Sequence, residues 1–291
     1  MIISVASGKG GTGKTTVAVN LALSLGKGVQ FLDCDVEEPN ADIFLKPDIR
    51  STRKVFIPVP EVDDSKCVLC GKCAKVCVYK ALAVIPSSEQ NKGKVLFFPN
   101  LCHGCGSCSY FCPTGAIKEV EREIGVLEIG TSGPIEFANG RLNIGEAMAP
   151  PVIRELKKLI GTGKTVIIDA PPGTSCPVVE SLKGSDLCIL VTEPTPFGLN
   201  DLILAVEVLR KLDIPFGVVI NRSDLGDKRT NEYCAAQDIP VLMRIPFSKE
   251  IASAYSKGSS IVEAFPEYME KFTRLFESAL ELAERSAKDK K

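Results

Sequence analysis

Short apolar runs alternate with longer amphipathic stretches along most of this chain. Residues 1–6, 29–32, 165–168, 187–191, 216–220 and 240–245 each have the length and composition of a buried strand. Between them, residues 17–25, 202–212 and 268–282 carry apolar side chains three and four apart, as helices packed on a sheet do. Strands alternating with helices predict an α/β fold: a mostly parallel sheet with helices on both faces. The alternation fails between about Glu61 and Lys118 and then resumes. The pattern therefore predicts a discontinuous α/β domain, residues 1–60 and 119–291, with a small α+β domain inserted at 61–118. Residues 135–144 read as a hairpin turning at Asn139-Gly140, and Pro150-Pro151 as the opening of a helix.

Cysteine changes the picture inside the interruption. Eight of the twelve cysteines form two runs, Cys67, Cys70, Cys73, Cys77 and Cys102, Cys105, Cys108, Cys112, each spaced C-x2-C-x2-C-x3-C. The runs are offset by 35 residues, Pro113 follows the second, and Ala81-Leu82 after the first matches Ala116-Ile117 after the second. This spacing predicts two [4Fe–4S] clusters, with the fourth cysteine of each run reaching the other cluster. Cluster 1 would take Cys67, Cys70, Cys73 and Cys112; cluster 2 would take Cys102, Cys105, Cys108 and Cys77. Zinc is the alternative, but zinc sites use four ligands in paired knuckles, not eight in two such runs. Tyr79, Tyr110 and Phe111 are expected to pack around the clusters and exclude water. His103, the only histidine, is either a solvated loop residue or a group that tunes the nearby cluster.

The first strand leads into Gly8-Lys9-Gly10-Gly11-Thr12-Gly13-Lys14-Thr15-Thr16, which satisfies the phosphate-loop pattern G-x-x-x-x-G-K-[ST]. Strand, glycine loop and helix follow in the required order, so backbone N–H groups close on phosphate oxygens at a helix N-terminus. Lys14 is placed to reach the β- and γ-phosphates and the Thr15 hydroxyl to sit on Mg²⁺, with ATP or ADP as ligand. Gly161-Thr162-Gly163-Lys164-Thr165 repeats the letters GTGKT, but it follows a helix and precedes a strand, and Lys158 stands where glycine is required. It reads as a turn after a helix, not as a second nucleotide site.

Length and composition narrow the rest. At 291 residues, 45% hydrophobic and 24% charged, the chain is an ordinary globular protein near the size where one core gives way to two. A net charge of −1 offers no basic excess for nucleic acid. No apolar stretch is long enough to span a membrane. The start does not resemble a signal peptide, and cluster-forming thiols suit a reducing cytoplasm.

With Lys9 included, the phosphate loop resembles the deviant Walker A motif of the MinD/ParA/Mrp/nitrogenase iron protein class. The resemblance implies an ATP-dependent homodimer in which Lys9 reaches the phosphates held by the partner subunit. Asp33-Cys34-Asp35 through Pro39-Asn40 is similar to that family's first switch, which implies that Asp35 orients the attacking water and Asp33 supports it. Asp169-Ala170-Pro171-Pro172-Gly173 resembles Walker B with the second switch, so Asp169 would hold Mg²⁺ through water. Asn221 matches the base-reading asparagine. The whole arrangement is similar to a subgroup of MinD-like ATPases with an inserted bacterial-ferredoxin-like domain.

Departures from the family bear on function. The last helix lacks a basic membrane-binding face and carries Tyr268, Phe272, Leu275 and Phe276, which suit core packing. The late C-x-x-C of Mrp-type carriers is missing. Cys176, seven residues after Asp169, stands near the position of the nitrogenase iron protein's bridging cysteine, which implies an extra redox or cluster ligand; Cys34, Cys188 and Cys234 read as buried structural thiols. The combination predicts an ATP-hydrolysing iron–sulfur protein that couples nucleotide state to low-potential electron transfer with a redox partner. The alternatives are an Mrp-like cluster carrier serving apo-protein acceptors and a MinD/ParA-like positioning ATPase.

Overall fold

The computed structural model describes residues 1–89 and 92–289. It divides into two compact units, the first comprising Met1–Thr52, Leu127–Arg141 and Ile153–Lys291, the second Arg53–Val126 and Leu142–Val152. The chain begins with β1 (Ile2–Ala6), α1 (Lys14–Leu25), β2 (Val29–Asp33), the single turn α2 (Asp42–Leu45) and the long strand β3 (Asp48–Val62). Short elements follow through the cysteine-rich stretch: α3 (Lys72–Val76), β4 (Leu82–Ile85), β5 (Lys94–Phe97) and α4 (Ser107–Tyr110). A second long strand, β6 (Ile117–Ser132), leads to β7 (Ile135–Leu142) and α5 (Ala149–Lys157). Regular alternation then returns with β8 (Thr165–Asp169), α6 (Cys176–Leu182), β9 (Leu187–Thr192), α7 (Pro196–Lys211), β10 (Phe216–Asn221), α8 (Arg229–Ala236) and β11 (Val241–Ile245). Three helices close the chain, α9 (Lys249–Ser256), α10 (Ile261–Ala264) and α11 (Tyr268–Asp289).

Nine strands form one sheet in the order β11-β10-β9-β1-β8-β2-β7-β6-β3. From β11 to β7 every pairing is parallel, with a register shift in β10 beside β11. Alternate residues of β1 feed two cores, Ile3 and Val5 one, Ala6 the other. The first core is closed by α1, α10 and α11, the second by α6, α7 and α8. Helices therefore cover both faces, as the alternation predicts. On α11, Phe272, Leu275 and Ala279 are fully buried and Tyr268 nearly so. Burying each large side chain contributes roughly 1.5–3 kcal/mol, which settles the use of that face as core.

One local expectation fails. Asn139-Gly140 is not a turn but lies inside β7, where Asn139 pairs in register with Asp33. Burial of Ile135 and Phe137, with Phe137 stacked 6.1 Å from Phe31, overrides the turn preference of the dipeptide. The chain reverses instead at Gly133-Pro134, with Gly133 at φ 54°. The polar starts of β3 and β6 hide two long strands, because they offer no continuous apolar run. The GTGKT decoy is a turn between α5 and β8 with Gly163 at φ 74°. The Gln30 side chain fixes it, donating to the Leu159 carbonyl and accepting from the Gly161 amide.

In the second unit β4 and β5 pair antiparallel, Leu82 opposite Phe97. Its small core gathers Cys73, Leu82 and Ile117, with Val62, Val84, Val95 and Phe97 packed against it. Among the described residues no helix is long and apolar enough to cross a membrane.

Candidate functional site

Parallel register puts the ends of three neighbouring strands side by side, two of them carrying an aspartate. Asp169, the last residue of β8, pairs with Val5 of β1 and with Asp33 of β2. The carboxyl ends of parallel strands are where open α/β sheets bind ligands. The phosphate loop leaves β1 at this edge and enters α1 through Gly13, which caps the helix at φ 91°. A β-carbon at Gly13 would stand 2.4 Å from the Asn221 amide nitrogen, so the loop and the end of β10 approach as closely as glycine permits. The Asn221 Nδ2 donates to the Thr12 carbonyl at 2.8 Å. Beside them opens a cavity lined by Gly11, Gly13, Thr16, Asn221, Phe247 and Tyr255 among others.

Lys14 is buried, 7% exposed, with Nζ 3.0 Å from Asp169 Oδ1 and 3.6 Å from Asp35 Oδ2. Burial opposes its charge, yet Asp169 and Asp35 outweigh burial and raise its pKa. Asp169 Oδ2 is buried without a hydrogen-bond partner, as is Thr12 Oγ1. Such buried oxygens without partners fit a hydrated Mg²⁺ and phosphate, with Thr15 in the first turn of α1. Asp33 plays a different part. Its carboxylate accepts from the backbone amides of Asp35, Asn40 and Ala41, so it shapes the loop that carries Asp35. Burial, and then Asp169, push the Asp33 carboxyl up.

Asp35 yields a pH prediction. Burial raises its carboxyl from 3.8 to about 6, although Lys14 pulls the other way. The folded chain thus holds this proton more tightly than the unfolded chain. The stabilisation is complete below the ordinary carboxylate range and is lost as pH rises through about 6. Nucleotide-free protein should therefore lose on the order of 2 kcal/mol between about pH 4 and 6 that the Asp35→Asn variant does not lose. Urea unfolding across that window checks it, and equal slopes for the two proteins would refute it.

Lys9 lies a third exposed, with Nζ 3.9 Å from Glu193 Oε2, and Glu193 also accepts from Arg222 at 2.7 Å. Glu193 escaped the sequence reading, yet it follows β9 directly, and the end of a central parallel strand is a signal in itself. Cys176 is exposed at the first position of α6, whereas Cys34, Cys188 and Cys234 are buried.

The second unit gathers all eight cysteines of the two runs around two cavities. One is lined by Cys67, Cys70, Cys73 and Cys112. The other is lined by Cys77, Cys102, Cys105 and Cys108. Each thus draws three thiols from one run and the fourth from the other. The backbone repeats as well. Left-handed residues occur at Leu69, Gly71 and Lys80 in the first run and at Gly104, Gly106 and Gly115 in the second, the same 35-residue offset. Gly71 and Gly106, both at φ 73°, start the matching helices α3 and α4.

Backbone amides of Ala81 and Gly104 donate to the sulfurs of Cys77 and Cys102. A hydrogen bond to Ser107 lowers the Cys105 pKa, and burial raises that of Cys108 to about 11. Among the described residues no three His, Cys, Asp or Glu side chains converge on a single-ion site. Thiols spread around a wider space fit a cluster, in which each sulfur holds a different iron. Tyr79 lines the second cavity and stacks on His103 at 3.4 Å. Tyr110 and Phe111, expected to shield the clusters, are instead 83% and 53% exposed and line neither cavity, since the single turn of α4 faces them outward.

Comparisons with known proteins bear on the sheet and its loop. An uncharacterised protein of Methanocaldococcus jannaschii is 33% identical over 90% of this chain and 92% of its own length. An iron-sulfur cluster carrier protein of Pyrococcus horikoshii is 27% identical over 89% of this chain and 78% of its own. The structure of the septum site-determining protein MinD of Pyrococcus horikoshii, complexed with Mg-ADP, shares the fold at a TM-score of 0.59. That likeness spans 98% of both chains at 21% identity. The family profile described as the CobQ/CobB/MinD/ParA nucleotide binding domain matches residues 3–261. With its deviant phosphate loop at the head of a MinD-like parallel sheet, the chain belongs to the CobQ/CobB/MinD/ParA nucleotide-binding family.

Proposed function

We propose that this protein binds and hydrolyses ATP as a homodimer and couples its nucleotide state to low-potential electron transfer with a partner protein. The observation that carries the redox half is the crossed cysteine sets, three thiols of one run and one of the other around each cavity. In this reading residues 61–118 form an inserted ferredoxin-like domain. Cys67, Cys70, Cys73 and Cys112 hold one [4Fe–4S] cluster, and Cys102, Cys105, Cys108 and Cys77 hold the other. Bound there, the clusters supply one-electron carriage at a potential set by burial, nearby charge and hydrogen bonds to sulfur.

The nucleotide half rests on the buried Lys14, whose ammonium is held by Asp169 and Asp35. A γ-phosphate competes with those carboxylates for Lys14 and leaves Asp35 free to orient water and accept its proton. Thr15 and, through water, Asp169 hold Mg²⁺. Asn221, fixed on Thr12, reads the base, and Lys9 exchanges Glu193 for a phosphate of the partner subunit. The Cys34 amide donates to the Asp169 carbonyl at 2.9 Å, so the two loops expected to move are hydrogen-bonded to each other. Asp33 fixes the amides of Asn40 and Ala41, from which the chain passes through α2 into β3 and on to the first cysteine run. A change at the γ-phosphate thereby has a covalent and hydrogen-bonded route toward the cysteines.

EPR-monitored reduction under anaerobic conditions, with and without MgATP, tests the coupling. A potential shift that is lost in the Lys14→Ala protein is the expected result. Identical potentials in both conditions would remove nucleotide tuning and favour a second reading, in which the clusters are cargo for apo-proteins. Relatives named as cluster carriers favour that reading. A chelator distinguishes the two, since cargo leaves while wired clusters stay.

A further inference from the structure

The two cavities differ in the charge that lines them. The Cys67, Cys70, Cys73 and Cys112 cavity is lined by Lys72, and otherwise by apolar and small groups such as Val84, Val95 and Ile117. The Cys77, Cys102, Cys105 and Cys108 cavity is lined by Glu119. Glu119 is held close to its ligand loop: a β-carbon on Gly106, between Cys105 and Ser107, would stand 2.9 Å from Glu119 Oε1. Arg122 also lies near this loop, where it donates to the Pro99 carbonyl ahead of Cys102. Arg122 is paired through both terminal nitrogens with Glu146, so as an ion pair it brings no net charge. His103 lies in the same cavity wall, stacked on Tyr79.

Adding an electron to a cluster adds negative charge. A nearby ammonium favours that step and a nearby carboxylate opposes it, an effect that solvent screens in part because Lys72, Glu119, Cys70 and Cys105 are exposed. Resting on the two-cluster reading above, we propose that Lys72 and Glu119 hold the clusters at unequal potentials. The first electron then resides on the cluster of Cys67, Cys70, Cys73 and Cys112, and the Glu119 side is the stronger reductant. Electrons delivered on the Glu119 side run downhill to the Lys72 side. The two residues are positioning groups: they set the direction of transfer without ligating iron.

The test is an anaerobic titration of the full-length protein with dithionite as electron source, followed by EPR at one fixed pH. Wild type should show two resolved potentials. Glu119→Gln should raise only the lower one and Lys72→Gln should lower only the higher one. Each should shift the reduced-to-oxidised ratio by threefold to tenfold, tenfold being 59 mV for one electron. The double variant should narrow the gap further, and added salt should narrow it in wild type because both side chains reach solvent. A variant that moves neither potential, moves both equally, or moves the wrong one overturns the assignment. Iron and sulfide short of two clusters in wild type would instead overturn the two-cluster reading, whatever the potentials do.

Discussion

The Lys14→Ala protein should bind MgATP at least a hundredfold more weakly than wild type and should be less stable without nucleotide. Lys14 is nearly enclosed, 7% exposed, and stands between Asp169 and Asp35. Removing one partner of a buried ion pair costs roughly 3–5 kcal/mol, because the remaining charge has lost water and gained nothing. Here two carboxylates are stranded, Asp169 and Asp35. The stranded groups should respond by taking up protons, so the variant should regain part of its stability as pH falls. Isothermal titration with a slowly hydrolysed ATP analogue measures the first effect, and urea unfolding at two pH values the second. Wild-type affinity in this variant would remove the phosphate loop from the mechanism.

An equally large effect is expected from one cysteine far in sequence from the cluster it is proposed to serve. Cys112→Ser should lose the cluster of Cys67, Cys70 and Cys73, halve the iron content, and leave the cluster of Cys102, Cys105 and Cys108 in place. Double substitutions decide which cluster has gone. Adding Cys67→Ser to Cys112→Ser should cost little further iron, because both act on one site, whereas adding Cys102→Ser should remove nearly all of it. The opposite pattern would mean that each run closes on itself, contrary to the lining of the two cavities.

Much of the sheet was legible because its strands are buried on both faces and read as continuous apolar runs, Leu187–Thr192 most clearly. The phosphate loop was legible for a different reason: close approach of backbone to phosphate demands glycine, and little else produces that spacing. Two long strands were illegible. Asp48–Val62 buries only Val55, Ile57, Val59 and Pro60, and its polar first half resembles a loop. Asn139-Gly140 misled because a local turn preference of a few tenths of a kilocalorie competes with the burial of Phe137, and burial wins. At the site, Lys14, Asp35 and Asp169 were visible as motif positions. Glu193 was not, since nothing local marks a glutamate as the partner of Lys9 and Arg222. Tyr110 and Phe111 were misjudged for want of any sequence signal telling which side of a single helical turn meets the cavity.

The matched left-handed residues of the two cysteine loops make those loops interchangeable as backbone. Writing the second loop's residues into the first would ask for no dihedral that is not already there, because Leu69 and Lys80 hold φ of 54° and 57° where the second loop has Gly104 and Gly115 at 62° and 63°. The exchange is unequal in one direction. Glycine introduced at positions 69 and 80 relieves about 1 kcal/mol of strain at each, while a side chain introduced at Gly104 meets the Pro58 carbonyl at 3.0 Å. The first loop is thus the copy that can be rewritten, and the second is the template it can be rewritten from.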